Sequence, residues 1–465
     1  MARIAVIGAG IGGLGVALCA GRSGHEVVLV ERDDTPLPAD PHGAFDWDRR
    51  GAPQVRHSHA LLARLRNLLR DRHPDVLAAV LDAGATELDF IAMLPEEMDR
   101  TPLPGDEDLV ALACRRTTFE WVLRRCALDG ERVELRHGVS VDSLLVGAAA
   151  GGAPLVTGVR LSDGSALEAD VVVDAGGRRS PGRALLADAG IDVPEQVEDT
   201  GIVYFSRFFR LLEGRSHPPQ LGPIGGDLGY LKFGVFPGDD RSFSITLAAR
   251  ADDDDLRRLL LDEDAFLAIA RRLPSTVAHV EPDRSAPITG VHVMARLLNR
   301  RRWFLDDAGE PLVRGFHAVG DAHTCTNPLY GRGCSLAMVQ AQSLVDRLDE
   351  HGEDHLARSV AYEADAAEQV LPWYRAAVAQ DRMAREGGAG SAQELLRDGL
   401  LPALRIDPVV LRAFLRMMNL LSPPESLMAD PDVVGRVLSV HASRHERPPP
   451  DPLGPTRDEL LDAVA

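Results

Sequence analysis

Lysine is almost missing from this chain: of 51 basic residues only Lys232 is a lysine, and the other 50 are arginines. Cysteine is nearly as scarce. The five thiols (Cys19, Cys114, Cys126, Cys325, Cys334) are scattered and form no C-x-x-C pair, which excludes a disulfide framework and argues against zinc or dithiol chemistry. No metal site is expected, and the expected compartment is reducing. Long apolar runs are absent too: no stretch reaches the roughly 18 residues of a membrane span, so stable membrane insertion is not expected. Positive charge is in deficit. Lys+Arg minus Asp+Glu is 51 − 70 = −19, a balance that repels a phosphate backbone or an anionic lipid surface and excludes nucleic acid as a partner.

What is present is an ordinary globular composition, 45% hydrophobic and 26% charged, over 465 residues. At about 150 residues per domain, two or three lobes are expected. Arg3 precedes an apolar run from Ile4 to Ala20 that resembles a signal-peptide core. Its five glycines, followed by a polar turn and a second apolar strand, point instead to a cytoplasmic nucleotide-binding unit.

That opening reads as βαβ: Arg3 to Ile7 a strand, Gly12 to Gly21 a helix, Glu26 to Val30 a strand. A Pro/Asp/Gly-rich loop covers 33 to 56, and helices follow from about His59 to Arg70 and from Thr117 to Leu128. Val133 to Leu145 is a strand region ending in a small-residue hairpin tip, Gly147 to Gly152, before Val156 to Leu161 and Ala166 to Val173. Isolated strands at Gly201 to Phe209, Tyr230 to Phe236 and Ser242 to Ala248 predict an antiparallel lobe. Gly315 to Val319 restores the buried-strand pattern and Ser335 to Leu348 is a helix. Beyond Glu350 the chain reads as helical, with Pro448 to Pro455 a non-helical strap.

The strongest motif is V-I-G-A-G-I-G-G-L-G, in which Gly8, Gly10 and Gly13 fit G-x-G-x-x-G between strand and helix, with Gly12 inside it. The first glycine makes the turn, the second admits a pyrophosphate and the third lets helix and strand pack closely. The phosphates then meet the free N–H groups of the helix. Glu31 ends the second strand at the spacing expected of an acid that binds a ribose, and Arg32 beside it joins the candidate cofactor-binding set.

The second motif is G-F-H-A-V-G-D-A-H-T-C-T-N-P-L-Y-G-R-G-C-S, residues 315 to 335. Here the sequence resembles the FAD-dependent aromatic hydroxylases, the single-component flavoprotein monooxygenases of the p-hydroxybenzoate hydroxylase type. The resemblance implies that Gly320-Asp321 meets the ribityl chain, that Pro328 lies near the reactive flavin edge, and that Gly331 and Gly333 leave space beside it. A helix N-terminus there would favour the negative charge of reduced flavin. In C-R-R-T-T-F, Arg116 corresponds to a pyrophosphate contact, and Val141 to a position whose backbone meets adenine.

One departure matters. The hydroxylases carry Asp-Gly-x-x-Ser; here V-V-D-A-G-G-R-R-S places Gly176 where the Asp belongs, and Asp174 is the nearest carboxylate and the candidate cofactor contact. This form, with G-A-P-Q-V-R-H-S-H-A-L-L at 51 to 62, resembles the epoxidase-like and halogenase-like branch. His57 and His59 are thereby candidates to orient substrate or move a proton, with Pro328 and Tyr330 beside them. Halogenation itself is disfavoured: no Trp-x-Trp-x-Ile-Pro segment exists and Lys232 lies in the predicted substrate lobe.

The resemblance spans about residues 1 to 350 and implies an α/β fold. Its parts are a discontinuous Rossmann-like, glutathione-reductase-like FAD-binding domain (1–75, 100–190, 295–350), a mixed β-sheet substrate lobe (76–99, 191–294) and a helical carboxy-terminal region (351–465). The implied function is insertion of one atom of O₂, by hydroxylation or epoxidation, into a hydrophobic small molecule through a flavin C4a-hydroperoxide, in the manner of secondary-metabolite tailoring. The electron source is left open between NAD(P)H and reduced flavin from a partner reductase, as is a homodimer. The same motifs also suit a reductase of the geranylgeranyl type or a non-catalytic flavin-binding protein.

Overall fold

The computed structural model describes residues 1–94, 96–147, 152–219, 225–386, 394–446 and 454–463. Three near-continuous apolar runs, β1 (Arg3–Ile7), β2 (Glu26–Glu31) and Val171–Asp174, form the middle of a five-stranded sheet. Its order is Phe316–Ala318, Val171–Asp174, β1, β2, Val133–His137, and every pairing is parallel. Such strands are apolar throughout because both faces are covered. Ile4, Val6, Val27 and Leu29 pack on one face with α1 (Ile11–Arg22), Arg116–Leu128 and Gly333–His351. Ala5, Ile7, Val28 and Val30 pack on the other against the antiparallel strands Val141–Gly147 and Leu155–Leu161.

Two sequence expectations shift. The region from 133 to 145 divides between sheets, Val133–His137 entering the parallel one and Val141–Gly147 the antiparallel one; most of the expected hairpin tip, 148–151, lies outside the described residues. The expected 59–70 helix begins only at Ala63. Leu61 is held extended by Leu112, whose N–H donates to its carbonyl at 2.9 Å, and Ala63 N–H donates to Asn419 Oδ1 at 3.1 Å.

The second sheet runs Gly225–Asp227, Leu231–Pro237, Ser242–Arg250, Ile202–Leu211, Ser285–Pro287, all antiparallel, with His292–Met294 also on Ile202–Leu211. Its aromatics divide by the two-residue period. Phe205, Phe209, Phe233 and Phe243 pack onto the helices Asp254–Leu261 and Glu263–Ala270. The opposite face carries Tyr204, Ser206 and Phe208 opposite Ala248, Thr246 and Ser244.

The expected lobe segment 76–99 divides as well. Val76, Leu77, Val80 and Ala85 are buried in the cluster that holds β1 and α1. Ile91, Leu94 and Met98 instead pack against Leu411, Leu415 and Leu421 of the carboxy-terminal region. That region is helical, its longer helices being His355–Gln369, Leu371–Glu386, Pro408–Met418 and Pro431–Ala442; of the expected strap, 448–453 lie outside the described residues. Among the described residues no helix is long and apolar enough to cross a membrane.

Candidate functional site

After β1 the chain turns at Gly8, with φ +99° and a hypothetical Cβ only 2.8 Å from Ala175 O, a conformation suited to glycine. A Cβ at Gly13 would stand 1.9 Å from Gly8 O, so α1 lies on β1 with no room for a side chain. Gly10 differs. At the N-cap of α1 it has nothing within 4 Å of its Cβ position, and the helix has no side-chain cap and no acid in its first turn. Open space over free N–H groups is the setting that receives an anion.

The second motif opens at the same edge of the sheet, because Phe316–Ala318 runs parallel to β1. A Cβ at Gly12 would lie 3.5 Å from Val319 Cγ1, so the two motifs touch. Gly320 turns with φ +66° and donates its N–H to Gln340 Oε1 at 2.8 Å. The Asp321 carboxylate makes no hydrogen bond or ion pair among the described residues, while Arg300 holds the turn by donating to Asp321 O at 3.0 Å and Arg178 O at 3.1 Å. Asn327 then caps the Pro328–Tyr330 turn, its Oδ1 accepting Leu329 N–H at 3.0 Å. Gly331, at φ +65°, would put a Cβ 2.8 Å from Ala60 Cβ, which presses the loop against the histidine segment. A Cβ at Gly333 would find only Asp321 Oδ1, at 4.0 Å. The 19-residue helix that starts there packs on α1 through Met338, whose sulfur is 2.7 Å from the Cβ position of Gly15. Two helix N-termini and an unpartnered carboxylate thus face one mouth.

Glu31 is buried at the end of β2, its oxygens accepting Ala9 N–H at 2.9 Å and Asp33 N–H at 3.0 Å. Arg32 is exposed, and Val141 is buried next to the end of β2, where Val139 N–H donates to Glu31 O at 3.3 Å. Arg116 stands 3.5 Å from Glu120 and 3.3 Å from His59 Nε2, and its buried Nε has no hydrogen-bond partner. Arg49, which the sequence reading does not single out, lies beside the glycine turn. Buried, it donates to Glu120 at 2.7 Å, to Asp33 at 3.3 Å and to Ala9 O at the glycine turn at 3.0 Å, with Trp47 stacked 4.8 Å away. Its only sequence signal is a place in the polar loop that follows Glu31.

Asp174 is drawn into its own turn. Gly176 N–H donates to it at 3.0 Å and Ser180 Oγ donates to its other oxygen, and burial raises its pKa. His57 Nδ1 lies 3.1 Å from Ser206 Oγ on the second sheet, and burial, then His292, pushes its pKa down to about 4. Half-buried His59 sits between His57 O, 2.9 Å from its Nδ1, and Arg116, so that burial and then the guanidinium hold it down to about 3. Both imidazoles are therefore neutral at pH 7 and serve as hydrogen-bonding groups. Tyr330 is held near Asp381 at 3.4 Å, with its pKa raised by burial.

A cleft of about 750 Å³ lined by Arg3, Arg22, Glu26 and Arg132 lies at the opposite end of the sheet, where the strands begin. The open space at Gly10, and the Asp321 carboxylate with no hydrogen bond or ion pair among the described residues, are features that a flavin dinucleotide would require here.

No family model matches the chain. The P. aeruginosa protein PqsL, described as a probable FAD-dependent monooxygenase, superposes with a TM-score of 0.58 at 19% identity, over 83% of this chain and 96% of its own. The chain shares its fold with that protein. Two curated relatives are similar in sequence. Protein Rv3254 of Mycobacterium tuberculosis is 27% identical over 494 residues, 93% of this chain and 92% of its own length. The FAD-dependent monooxygenase nsrK of Aspergillus novofumigatus is 27% identical over 372 residues, 74% of this chain and 66% of its own.

Proposed function

We propose that this protein is a monooxygenase that binds FAD on a glutathione-reductase-like dinucleotide unit and places one atom of O₂ in an organic small molecule. The observation that carries the reading is the convergence of the two glycine loops on one mouth, with Asp321 unpartnered between them. When bound there, FAD supplies the electrons and the oxygen chemistry.

The chain's own residues bind and orient. Gly8, Gly10, Gly12 and Gly13 with Arg116 hold the pyrophosphate, Glu31 the ribose, and Val141 the adenine through its backbone, while Arg49 braces the glycine turn through Ala9 O. Asp321 accepts from the ribityl hydroxyls. Gly331 and Gly333 keep side chains away from the flavin edge, and Pro328 and Tyr330 shape it. His57 and His59, pressed between this loop and the second sheet, stay neutral and orient substrate by hydrogen bonding. The sheet face of Tyr204, Ser206, Phe208, Ser244 and Thr246 is the substrate wall, part apolar and part hydroxylic. A separate flavin reductase supplies reducing equivalents.

The test is turnover of candidate alkenes and phenols under ¹⁸O₂ with an added flavin reductase. One labelled oxygen per product is expected. Product without label, or turnover that persists anaerobically, would move the chain to a reductase.

A further inference from the structure

Asp381 lies in the carboxy-terminal helix Leu371–Glu386, only 4% exposed, and nothing in the binding scheme above uses it. Three neutral donors converge on its carboxylate: Asn299 Nδ2 at 2.7 Å, Asn327 Nδ2 at 2.8 Å and Tyr330 OH at 3.4 Å. Each amide is fixed in turn. Asn327 Oδ1 accepts Tyr204 OH at 2.6 Å and Leu329 N–H at 3.0 Å, and Asn299 Oδ1 accepts Asn327 N–H at 2.7 Å. With both oxygens committed, both NH₂ groups must find acceptors, and a carboxylate, which only accepts, is the group that satisfies them together.

The surroundings make this arrangement costly to disturb. Asn299 and Tyr204 are buried, and a donor left unpaired in such a place carries its full desolvation penalty. Arg332, between Gly331 and Gly333, is 1% exposed and sandwiched by Tyr330 at 4.5 Å and Trp373 at 4.9 Å. Its Nε has no hydrogen-bond partner, so the Asp381 charge is part of what offsets it. The same helix is tied to the strand Glu195–Asp199 by Arg382, which donates to Glu198 at 2.9 Å.

We propose that Asp381 is a positioning residue of the flavin site: acting through Asn327, it fixes the Pro328–Tyr330 turn and fastens Tyr204 of the substrate sheet to it, which makes the carboxy-terminal helices a working part of the site. The inference rests on the reading that FAD binds at this mouth. Asp381 itself touches neither flavin nor substrate; it sets the loop that does.

The test uses FAD-loaded full-length protein. Asp381→Asn places an NH₂ group among donors and frees the Asn327 amide. The expected result is a shift of the flavin visible bands and midpoint potential, with FAD binding weakened about tenfold, the fold-change of one buried hydrogen-bonding group. In an Asn327→Ala background the same substitution should change them no more than loss of the Tyr330 bond does. Tyr330→Phe, which removes only the 3.4 Å bond, gives a smaller shift in the same direction and serves if Asp381→Asn does not fold. A lowered melting temperature with bands, potential and affinity unchanged would overturn the proposal, as would an undiminished effect in the Asn327→Ala background. A wild-type protein that binds no FAD would defeat the functional reading instead, so the two failures are distinct.

Discussion

Asp239 accepts both the main-chain N–H of Arg115, at 2.8 Å, and its guanidinium, at 2.5 and 3.0 Å, in a pair whose side chains are 1% and 3% exposed. Thr118 Oγ donates to the same carboxylate at 2.7 Å. Arg115 stands at the start of the helix on the parallel sheet, and Asp239 in the turn between two strands of the second sheet. The pair locks one sheet to the other. Removing one member strands a buried charge, so Asp239→Ala is expected to cost about 3–5 kcal/mol in denaturant unfolding. A loss under about 1 kcal/mol would show that water or a rearranged side chain replaces the contact.

The glycines of the first motif should separate binding from folding. Gly10→Val adds a side chain to open space and should leave the fold intact while blocking the phosphates, so it should purify colourless. Gly13→Ala drives a methyl group into Gly8 O and should lower stability by about 1–3 kcal/mol or more. Flavin absorbance and melting temperature measured on both variants check the pair. Full flavin content in folded Gly10→Val would displace the phosphate site.

Acid should weaken the protein partly through His57. Its imidazole takes a proton near 6.5 in the unfolded chain but only near 4 when folded. Between those values the unfolded chain binds more protons, so stability rises with pH there and falls as pH drops. His57→Gln should flatten that limb by roughly 1–3 kcal/mol, read as the difference in unfolding free energy between pH 7 and pH 4.5. An unchanged limb would mean that other groups, such as buried His279, carry it.

Reduction by NADPH alone should be slow. The turn from Asp174 to Gly182 is closed on itself, and a Cβ at Gly176 would lie 3.0 Å from both Pro181 Cδ and Ser180 Cα, so no carboxylate side chain fits where the hydroxylases carry theirs. Stopped-flow bleaching of the flavin should speed up when a flavin reductase is added. Rapid bleaching by NADPH alone would assign the donor role to this chain.

How far the sequence carried the reading depends on the range of each interaction. Gly8 to Gly13, Glu31 and the Gly320–Gly333 loop are legible because each does its work within a strand, a turn and the next helix. Arg49, Asp239 and Asp381 are not. Each is one charged residue among many, and its partner lies 71, 124 or 54 residues away with no periodicity to mark it. The alternation of the second sheet was readable, but which aromatics face its core was not, because Phe205 and Phe208 look alike until a helix covers one side. The late start of the Ala63 helix has the same origin: Leu61 is apolar and suits a helix, yet a strand 51 residues further on claims it.

That helix carries a consequence for how the protein is made. Ala63 N–H finds its acceptor in the side chain of Asn419, 356 residues downstream, and Arg64 N–H donates to the Asn419 carbonyl at 3.2 Å. A ribosome delivers the amino end first, so through most of synthesis the segment bearing His57 and His59 waits without this tether. That segment therefore reaches its final place only after residue 419 has emerged.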